Sequence, residues 1–236
     1  YTEWEKPSFN PIVNNTQRDP STAWKSAYGE WRLTSYDTNS YGSTDFIHWY
    51  KIGKQPGFPA GECPSFFKLP RVINNKKQGA AANESLPTHV HKCSHGRKDW
   101  MQVGTWQDGK PREPGTWSNT GKEVLIDQGN FYASKDFYDP VKDRRINWGW
   151  AVVAPGSTLS MGREVVYNAE LQQLEFLPLE EQKDLRTEQL VNIDKSQTVQ
   201  GWKLLSNNEW PTNAGKQIEI LTSFALNSIL KTSSKF

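Results

Sequence analysis

The chain has 236 residues, of which 35% are hydrophobic and 23% are charged. This length allows one large domain, or one domain with a small second module. Its 28 basic and 26 acidic residues leave a formal net charge of +2. Because the two signs are interspersed, we expect no basic face for nucleic-acid binding. No apolar run is long enough to form a membrane-spanning helix.

Short strand patterns separated by turn residues dominate the chain. Apolar and polar residues alternate over residues 31–36 and again over 145–152, where Ile146, Trp148, Trp150 and Val152 would share one face. Further short runs occur at 100–106, 123–126, 163–167, 172–177, 201–205 and 217–221. Many short strands joined by turns predict an all-β fold, which could be a sandwich, a barrel or a propeller.

One segment departs from the strand pattern. Residues 178–186 place acidic side chains early and basic side chains late, an order that favours a short helix. We interpret this helix as a connector between modules.

Aromatic residues are abundant, with 11 Trp, 8 Tyr and 10 Phe. Indole faces can stack on sugar rings, but tryptophan also fills β-sheet cores. Composition alone favours the second role.

Two cysteines and two glycosylation triplets bear on the cellular compartment. Cys63 and Cys93 could form one disulfide or could both stay reduced. Asn14 and Asn83 begin acceptor triplets for N-glycosylation, Asn-Asn-Thr and Asn-Glu-Ser. Such triplets also arise by chance, so they support secretion only weakly.

Two carboxylates stand in candidate catalytic contexts. Asp19 lies between Arg18 and Pro20, where the arginine could hold it ionised, although Asp-Pro is also a common turn pair. Glu62 precedes Cys63 in an apolar and aromatic stretch, where burial could keep a glutamic acid neutral enough to act as a general acid. In isolation, a turn aspartate and an ordinary loop glutamate are the simpler interpretations.

A third segment changes this balance. Residues 126–140, Ile-Asp-Gln-Gly-Asn-Phe-Tyr-Ala-Ser-Lys-Asp-Phe-Tyr-Asp-Pro, and the Trp-Gly-Trp at 148–150 are very similar to a stretch of the family 32 glycoside hydrolases, the invertase and fructosidase group. Residues 18–24 and 61–67 resemble the Arg-Asp-Pro and Glu-Cys boxes of that family, in the same order. Residues 7–12 and 171–181 resemble flanking segments, so the resemblance covers about residues 4–190.

The resemblance implies a fold, an activity and a set of site residues. The fold would be a five-bladed β-propeller followed by a β-sandwich, and the activity would be retaining hydrolysis or transfer of β-fructofuranosyl groups from sucrose or fructans. Glu62 would be the general acid/base and Asp19 the transition-state stabiliser. Arg18 and Asp127 would line the pocket, with Cys63 beside the acid. No cofactor is implied, and the location would be secreted, extracellular or vacuolar.

The sequence lacks one essential part of the family pattern. The nucleophilic aspartate of the family lies in Asn-Asp-Pro-Asn-Gly, which these 236 residues do not contain. We therefore expect only the later propeller blades at 1–177, a connector at 178–190 and an incomplete sandwich module at 191–236. A second polypeptide carrying the nucleophile, or self-association, would complete the molecule.

A run of histidines and a cysteine raises the question of a metal site. Strand alternation would place His89, His91, Cys93 and His95 on one face, where they could ligate zinc. Neighbours on one face of a single strand seldom surround an ion, and the resemblance implies none, so we expect no metal.

Two functions remain open at the level of sequence. The first is a β-fructofuranosidase or fructosyltransferase, as one piece of a larger or cleaved enzyme. The second is a catalytically inactive propeller remnant that binds carbohydrate or serves as a structural or interaction protein. The intact Arg18-Asp19, Glu62 and Asp127 favour the first.

Overall fold

A computed structural model describes residues 2–74, 86–121, 123–198, 204 and 218–223. The chain divides into two units, Tyr1–Glu180 and Glu181–Phe236. Its strands in chain order are β1 (Trp24–Lys25), β2 (Trp31–Thr34), β3 (Asn39–Ser43), β4 (Tyr50–Lys54), β5 (Glu62–Lys68), β6 (Val72–Ile73), β7 (His89–His95), β8 (Lys98–Gln107), β9 (Thr116–Asn119), β10 (Val124–Leu125), β11 (Phe131–Asp139), β12 (Arg144–Val153), β13 (Gly156–Leu159), β14 (Arg163–Asn168) and β15 (Gln173–Pro178).

The strands form three sheets, each built mainly from antiparallel neighbours in sequence. The first sheet has the order β1-β2-β3-β4. The second has the order β10-β8-β7-β5, with β9 paired to β8, and the third has the order β11-β12-β14-β15, with β13 paired to β12. The short β6 joins the third sheet in parallel to β14. Successive antiparallel meanders of this kind are propeller blades.

A tight hairpin shows how local sequence sets this topology. Strands β7 and β8 pair up to His95 and Lys98, which leaves Gly96 and Arg97 as a two-residue turn. Both turn residues have a φ of +58°. Positive φ at both positions gives the turn a twist that matches the flanking strands, and glycine adopts it without steric cost.

Two apolar clusters join neighbouring sheets. Phe58, Phe66, Trp106 and Trp117 form one buried cluster, against which Trp24 of the first sheet packs. Phe67 belongs to the other cluster, with Val90, Met101, Ile126 and Phe131. Phe66 and Phe67 are consecutive in β5 and point to opposite faces, so this strand supplies both clusters. These tryptophans therefore fill the core, as the composition favoured.

Strand β12 keeps its predicted apolar face over only part of its length. Ile146 is buried, whereas Trp150 and Val152 are 45% and 40% exposed. The exposed part of β12 is the part that extends past β14, which pairs with it only from Arg145 to Asn147. Beyond that point β12 pairs with β13, whose residues are all exposed.

The segment after the third sheet contains the predicted short helix. A 3₁₀ helix spans Glu180–Leu185, inside the predicted connector at 178–190. Residues 186–198 and 218–223 form no strand, although a strand was predicted at 217–221. Arg186 and Glu219 form an ion pair with N–O distances of 2.5 and 2.9 Å. Most of the predicted sandwich module at 191–236, including the strand at 201–205, lies outside the described residues, so the module stays a prediction.

Within the ranges given above, no helix is both long and apolar enough to cross a membrane.

Candidate active site

Glu62 is the first residue of β5 and lies next to a β-bulge. It pairs with Ser94 of β7, and the register shifts before the next pair at Ser65. Cys63, inside the shift, has a φ of +48°. A bulge leaves extra residues unpaired and redirects side chains, which is common beside active sites. Pro64 fits here because a bulge does not require its missing N–H.

Arg18 brings the first sequence motif to the glutamate. Its Nη2 donates a hydrogen bond of 2.7 Å to Glu62 Oε1, and its Nε lies 3.9 Å from Asp19 Oδ2. The guanidinium also stacks over the Tyr36 ring, with 4.3 Å between Cζ and the ring centroid. The side chains of Arg18, Asp19 and Glu62 are 56%, 26% and 32% exposed, so the group is open to a ligand from solvent.

Asp19 is fixed directly to the bulge. The backbone N–H of Cys63 donates a 3.1 Å hydrogen bond to Asp19 Oδ2. Asp19 itself has a φ of +59°, a conformation that aspartate tolerates better than most residues. The structure therefore joins Arg18, Asp19, Glu62 and Cys63 in one contact network, although 44 residues separate the two motifs.

Lys135 connects the two carboxylate segments from a third direction. Its Nζ donates to the carbonyl oxygens of Pro20, at 3.2 Å, and Pro64, at 2.9 Å. Pro20 directly follows Asp19, and Pro64 follows Glu62 by two residues. Burial, together with the nearby charge of Lys92, lowers the pKa of Lys135. One cation from β11 thus fixes the backbone behind both carboxylates.

Lys92 forms a second, fully buried connection. Its Nζ lies 3.3 Å from Asp99 Oδ2, and both side chains have no exposed surface. The same Nζ donates to the carbonyl oxygens of Cys63, at 3.1 Å, and Ser134, at 2.6 Å. Ser134 lies in a second register shift, between β11 and β12. The ammonium group therefore links the irregular segments of two sheets.

Asp127 occupies a corresponding place in the third sheet without touching this network. Its Oδ1 accepts from the N–H of Gly129 and its Oδ2 from Arg163 Nη1, at 2.7 and 2.8 Å. Asp19 lies before the first strand of the first sheet, Glu62 begins the first strand of the second, and Asp127 lies before β11, where the antiparallel strands of the third sheet begin. No hydrogen bond in the described ranges joins Asp127 to the other two, so its role in a shared pocket stays a prediction.

The cysteines and the glycosylation triplets have separate outcomes. Both cysteines are free thiols. Burial raises the pKa of Cys63, and it raises the pKa of Cys93 to about 12, so both are protonated near neutral pH. Asn14 is exposed, as an acceptor must be, whereas Asn83 lies outside the described residues.

Sequence reasoning missed the two lysines behind the site. A lysine in a strand pattern is usually a solvent-facing residue, so nothing distinguished Lys92 from its neighbours. Lys135 stood inside a quoted motif, but no contact could be assigned to it. Tyr36 was noted only as a strand residue, although its ring supports Arg18.

The arrangement has the groups that acid-assisted glycoside cleavage needs on one side of the bond. A half-buried carboxyl group can donate a proton, and a neighbouring carboxylate with a guanidinium can bind sugar hydroxyls. A separate surface depression, lined by residues that include Tyr28, His48 and Arg112, contains none of Arg18, Asp19, Glu62 and Cys63.

Comparison with known proteins decides the family. Residues 1–161 match the sequence model of the glycosyl hydrolases family 32 N-terminal domain. The chain belongs to family 32. A β-fructofuranosidase of Arabidopsis thaliana, insoluble isoenzyme CWINV6, is 31% identical over 224 residues, which covers 81% of this chain and 40% of that protein. Insoluble isoenzyme 1 of Daucus carota is 39% identical over 171 residues, 63% of this chain and 29% of that protein.

Solved structures of family 32 members agree with this fold. Fructan 1-exohydrolase IIa from Cichorium intybus is 28% identical, with a TM-score of 0.59 over 78% of this chain and 40% of that chain. A variant of the same enzyme in complex with 1-kestose gives a TM-score of 0.61 at 29% identity. The predicted all-β, five-bladed propeller type is therefore confirmed, with three sheets of it described here. This family 32 chain spans about 40% of the length of these relatives.

Proposed function

We propose that this chain is part of a β-fructofuranosidase-type glycoside hydrolase that acts on sucrose or fructans with retention of configuration. The observation that supports this most directly is the network of Arg18, Asp19, Glu62 and Cys63 in a family 32 chain. Two distant motifs meet there, with both carboxylates partly open to solvent. Transfer to another sugar, instead of water, would use the same groups.

Each residue of the network has a proposed role. Glu62 protonates the leaving oxygen of the glycosidic bond and later deprotonates the acceptor. Asp19, held by the Cys63 N–H, accepts hydrogen bonds from fructosyl hydroxyls, and its charge favours the oxocarbenium-like transition state. Arg18 is 56% exposed and can leave Glu62 when a substrate hydroxyl enters.

The nucleophile of a retaining reaction must lie outside these 236 residues. Retention needs a second carboxylate about 5 Å from the acid, on the other side of the anomeric carbon. The family motif that supplies it, Asn-Asp-Pro-Asn-Gly, is absent from this sequence. We infer that a segment outside these residues supplies this aspartate, either on the same polypeptide or on a second one.

The names of the relatives support the substrate class and the location. The plant relatives are β-fructofuranosidases described as insoluble isoenzymes, and a structural relative binds 1-kestose. We therefore propose sucrose or a short fructan as the substrate. We also propose a secreted location, with a vacuolar one as the alternative.

The proposal can be tested by isolating the native protein through a tag on this chain. Fructose release from sucrose or 1-kestose is expected, and the purified material should contain Asn-Asp-Pro-Asn-Gly, on the same polypeptide or on a second one. Glu62→Gln should then lower kcat by a factor of about 1,000 or more, since removing one catalytic group from a unit commonly costs that much. If the native species binds 1-kestose but releases no fructose, it is the non-catalytic binding protein instead.

A further inference from the structure

The structure brings three metal-binding side chains together at one end of the β7–β8 hairpin. Cys93 Sγ, a ring nitrogen of His95 and a carboxylate oxygen of Glu123 all lie within 4.8 Å of one another. Glu123 Oε1 is 4.0 Å from Cys93 Sγ, and Glu123 Oε2 is 3.0 Å from His95 Nε2. One carboxylate therefore faces both other groups, each through a different oxygen.

The sequence argument against a metal considered β7 alone, whereas this cluster includes a side chain from another part of the sheet. His89 and His91 take no part, because their rings pack against Phe66 and Phe58 at 5.0 and 4.3 Å. The third group comes instead from Glu123, directly before β10. β10 pairs with β8, and β8 pairs with β7. The sheet therefore sets the distance between Glu123 and the two ligands on β7.

We propose that Cys93, His95 and Glu123 form a binding site for a zinc ion. Sulfur, nitrogen and oxygen ligands in this combination suit Zn²⁺, which prefers four ligands at 2.0–2.3 Å in a tetrahedron. Ligand atoms around such an ion lie roughly 3.5 Å apart. The observed separations need only small side-chain movements to reach that value. Water would take the fourth position, because within the described ranges the group has three members.

The charges of the ligands would balance those of the ion. On binding, the Cys93 thiol releases its proton to solvent, and the thiolate and the Glu123 carboxylate balance the two charges of Zn²⁺. Cys93 is buried, while the side chains of His95 and Glu123 are 42% and 24% exposed. The ion would thus have a buried sulfur on one side and an opening to solvent on the other.

Two neighbours prepare the site. The Trp100 ring stacks on the His95 ring at 5.1 Å with an interplanar angle of 3°, which fixes the orientation of the imidazole. A Cβ at Gly61 would lie 2.9 Å from Cys93 Sγ, so glycine there leaves the sulfur uncrowded. Gly61 directly precedes Glu62, which places the zinc site beside the proposed acid. The zinc proposal does not depend on the proposed function.

The test is titration of the purified chain, freed of metal, with Zn²⁺ and with Co²⁺ as a spectroscopic substitute. We expect one equivalent of Co²⁺ to give a thiolate charge-transfer band and tetrahedral ligand-field bands, and Zn²⁺ to displace it. Zn²⁺ should also raise the Tm of the chain, since a ligand that binds only the folded state stabilises it. No bound equivalent, or octahedral bands without charge transfer, would overturn the proposal.

Matched variants separate this site from adventitious binding. His95→Gln and Glu123→Gln should weaken Zn²⁺ binding at least tenfold, and Cys93→Ser should abolish the charge-transfer band. His89→Gln, on the same strand, and Cys63→Ser, at the other free thiol, should bind like the parent chain. The Tm of each apo variant reports whether it folds, and His95→Gln changes a half-exposed side chain. A band that survives Cys93→Ser, or disappears in Cys63→Ser, refutes the assignment.

Discussion

Lys135 illustrates how one side chain can set the geometry of a site that it does not enter. Its ammonium group bonds to the carbonyl oxygens of Pro20 and Pro64, one behind each candidate carboxylate. The distance between Asp19 and Glu62 is therefore fixed through the backbone. Lys135 is accordingly a positioning residue of the proposed fructosidase.

We expect Lys135→Met to lower kcat of the complete native enzyme by about 100-fold, because a displacement of 1 Å in a catalytic group costs about that much. Sugar binding through Arg18 should persist, so KM should change far less. Lys135→Arg, which keeps the charge and two donors, should recover part of the rate. Lys51→Met, at an exposed strand residue, is the control. Equal losses in kcat for both methionine variants would contradict the positioning role.

His91 predicts how stability depends on pH. Burial lowers its pKa to about 3, against an ordinary value of 6.5, and its ring contacts Phe58. Between pH 6.5 and about 3, His91 is therefore protonated in the unfolded chain and neutral in the folded chain. The stability from this group is fully present above pH 6.5 and is lost progressively as the pH falls through that window.

His91 alone should therefore lower the free energy of unfolding at pH 4.5 by about 3 kcal/mol relative to pH 7. This figure corresponds to about 1.4 kcal/mol per pH unit. His91→Leu should reduce the slope of unfolding free energy against pH by about one proton. Urea unfolding at a series of pH values measures this slope. Lys110→Gln, at an exposed side chain, should leave the slope unchanged. A parent-like slope in His91→Leu would show that other groups dominate acid unfolding.

At the scale of elements, a buried arginine connects the first two sheets. Arg32 of β2 pairs with Glu30, with 2.6 Å between Nη2 and Oε2, and both side chains are at most 2% exposed. Its guanidinium also donates to the carbonyl oxygens of Gly109, Lys110 and Glu113, in the loop between β8 and β9. The pair thus holds a loop of the second sheet against a strand of the first.

Glu30→Ala should destabilise the fold by about 3–5 kcal/mol, because it leaves the Arg32 charge buried without its partner. Glu113→Ala is a close control, since Arg32 bonds to the backbone of that residue and its side chain is exposed. Chemical denaturation of both variants compares them. If the two variants lose the same stability, the ion pair does not hold the sheets together.

Sequence patterns found several strands with apolar buried faces, but they missed β5 and β11, which also supply the apolar clusters, and they missed β3, whose buried residues are mostly polar. The alternations at 100–106 and 163–167 correspond to β8 and β14. β3 was missed because its five buried residues are Asn, Ser, Tyr, Gly and Ser, which read as a turn. The site motifs were recognisable by resemblance, but the lysines that support them were not. Contacts such as that between Lys92 and Ser134 join residues that are 42 positions apart, and no local pattern encodes them.

At the scale of the whole molecule, the three described sheets are a partial propeller. Open propeller edges expose unpaired strands and apolar faces, which favour association. Exposed apolar side chains do occur on the β12–β13 hairpin, where Val153 and Leu159 are 52% and 65% exposed. The proposed partner or second copy of the chain would have such surfaces to cover.

Residues 1–236 alone should show no measurable turnover of sucrose or inulin. Without the attacking aspartate no covalent intermediate can form, and loss of an essential group removes several powers of ten in rate. Native purification, sizing and activity assay of the chain provide the test. We expect an inactive species that self-associates, or that elutes with a second polypeptide. An active monomer of 27.0 kDa would contradict the prediction and place a nucleophile within these residues.

The buried pair of Lys92 and Asp99 also constrains how this protein can change over generations. Replacing either residue alone leaves the other charge buried and without a partner. Such a change commonly costs about 3–5 kcal/mol of stability. Replacing both by apolar residues of similar size leaves no charge unpaired, although the carbonyl oxygens of Cys63 and Ser134 then lose their donor. The two positions are therefore epistatic, and descendants should retain the pair or lose it together. Single changes at either position should be rare even in lineages that have abandoned catalysis, because folding itself selects against them.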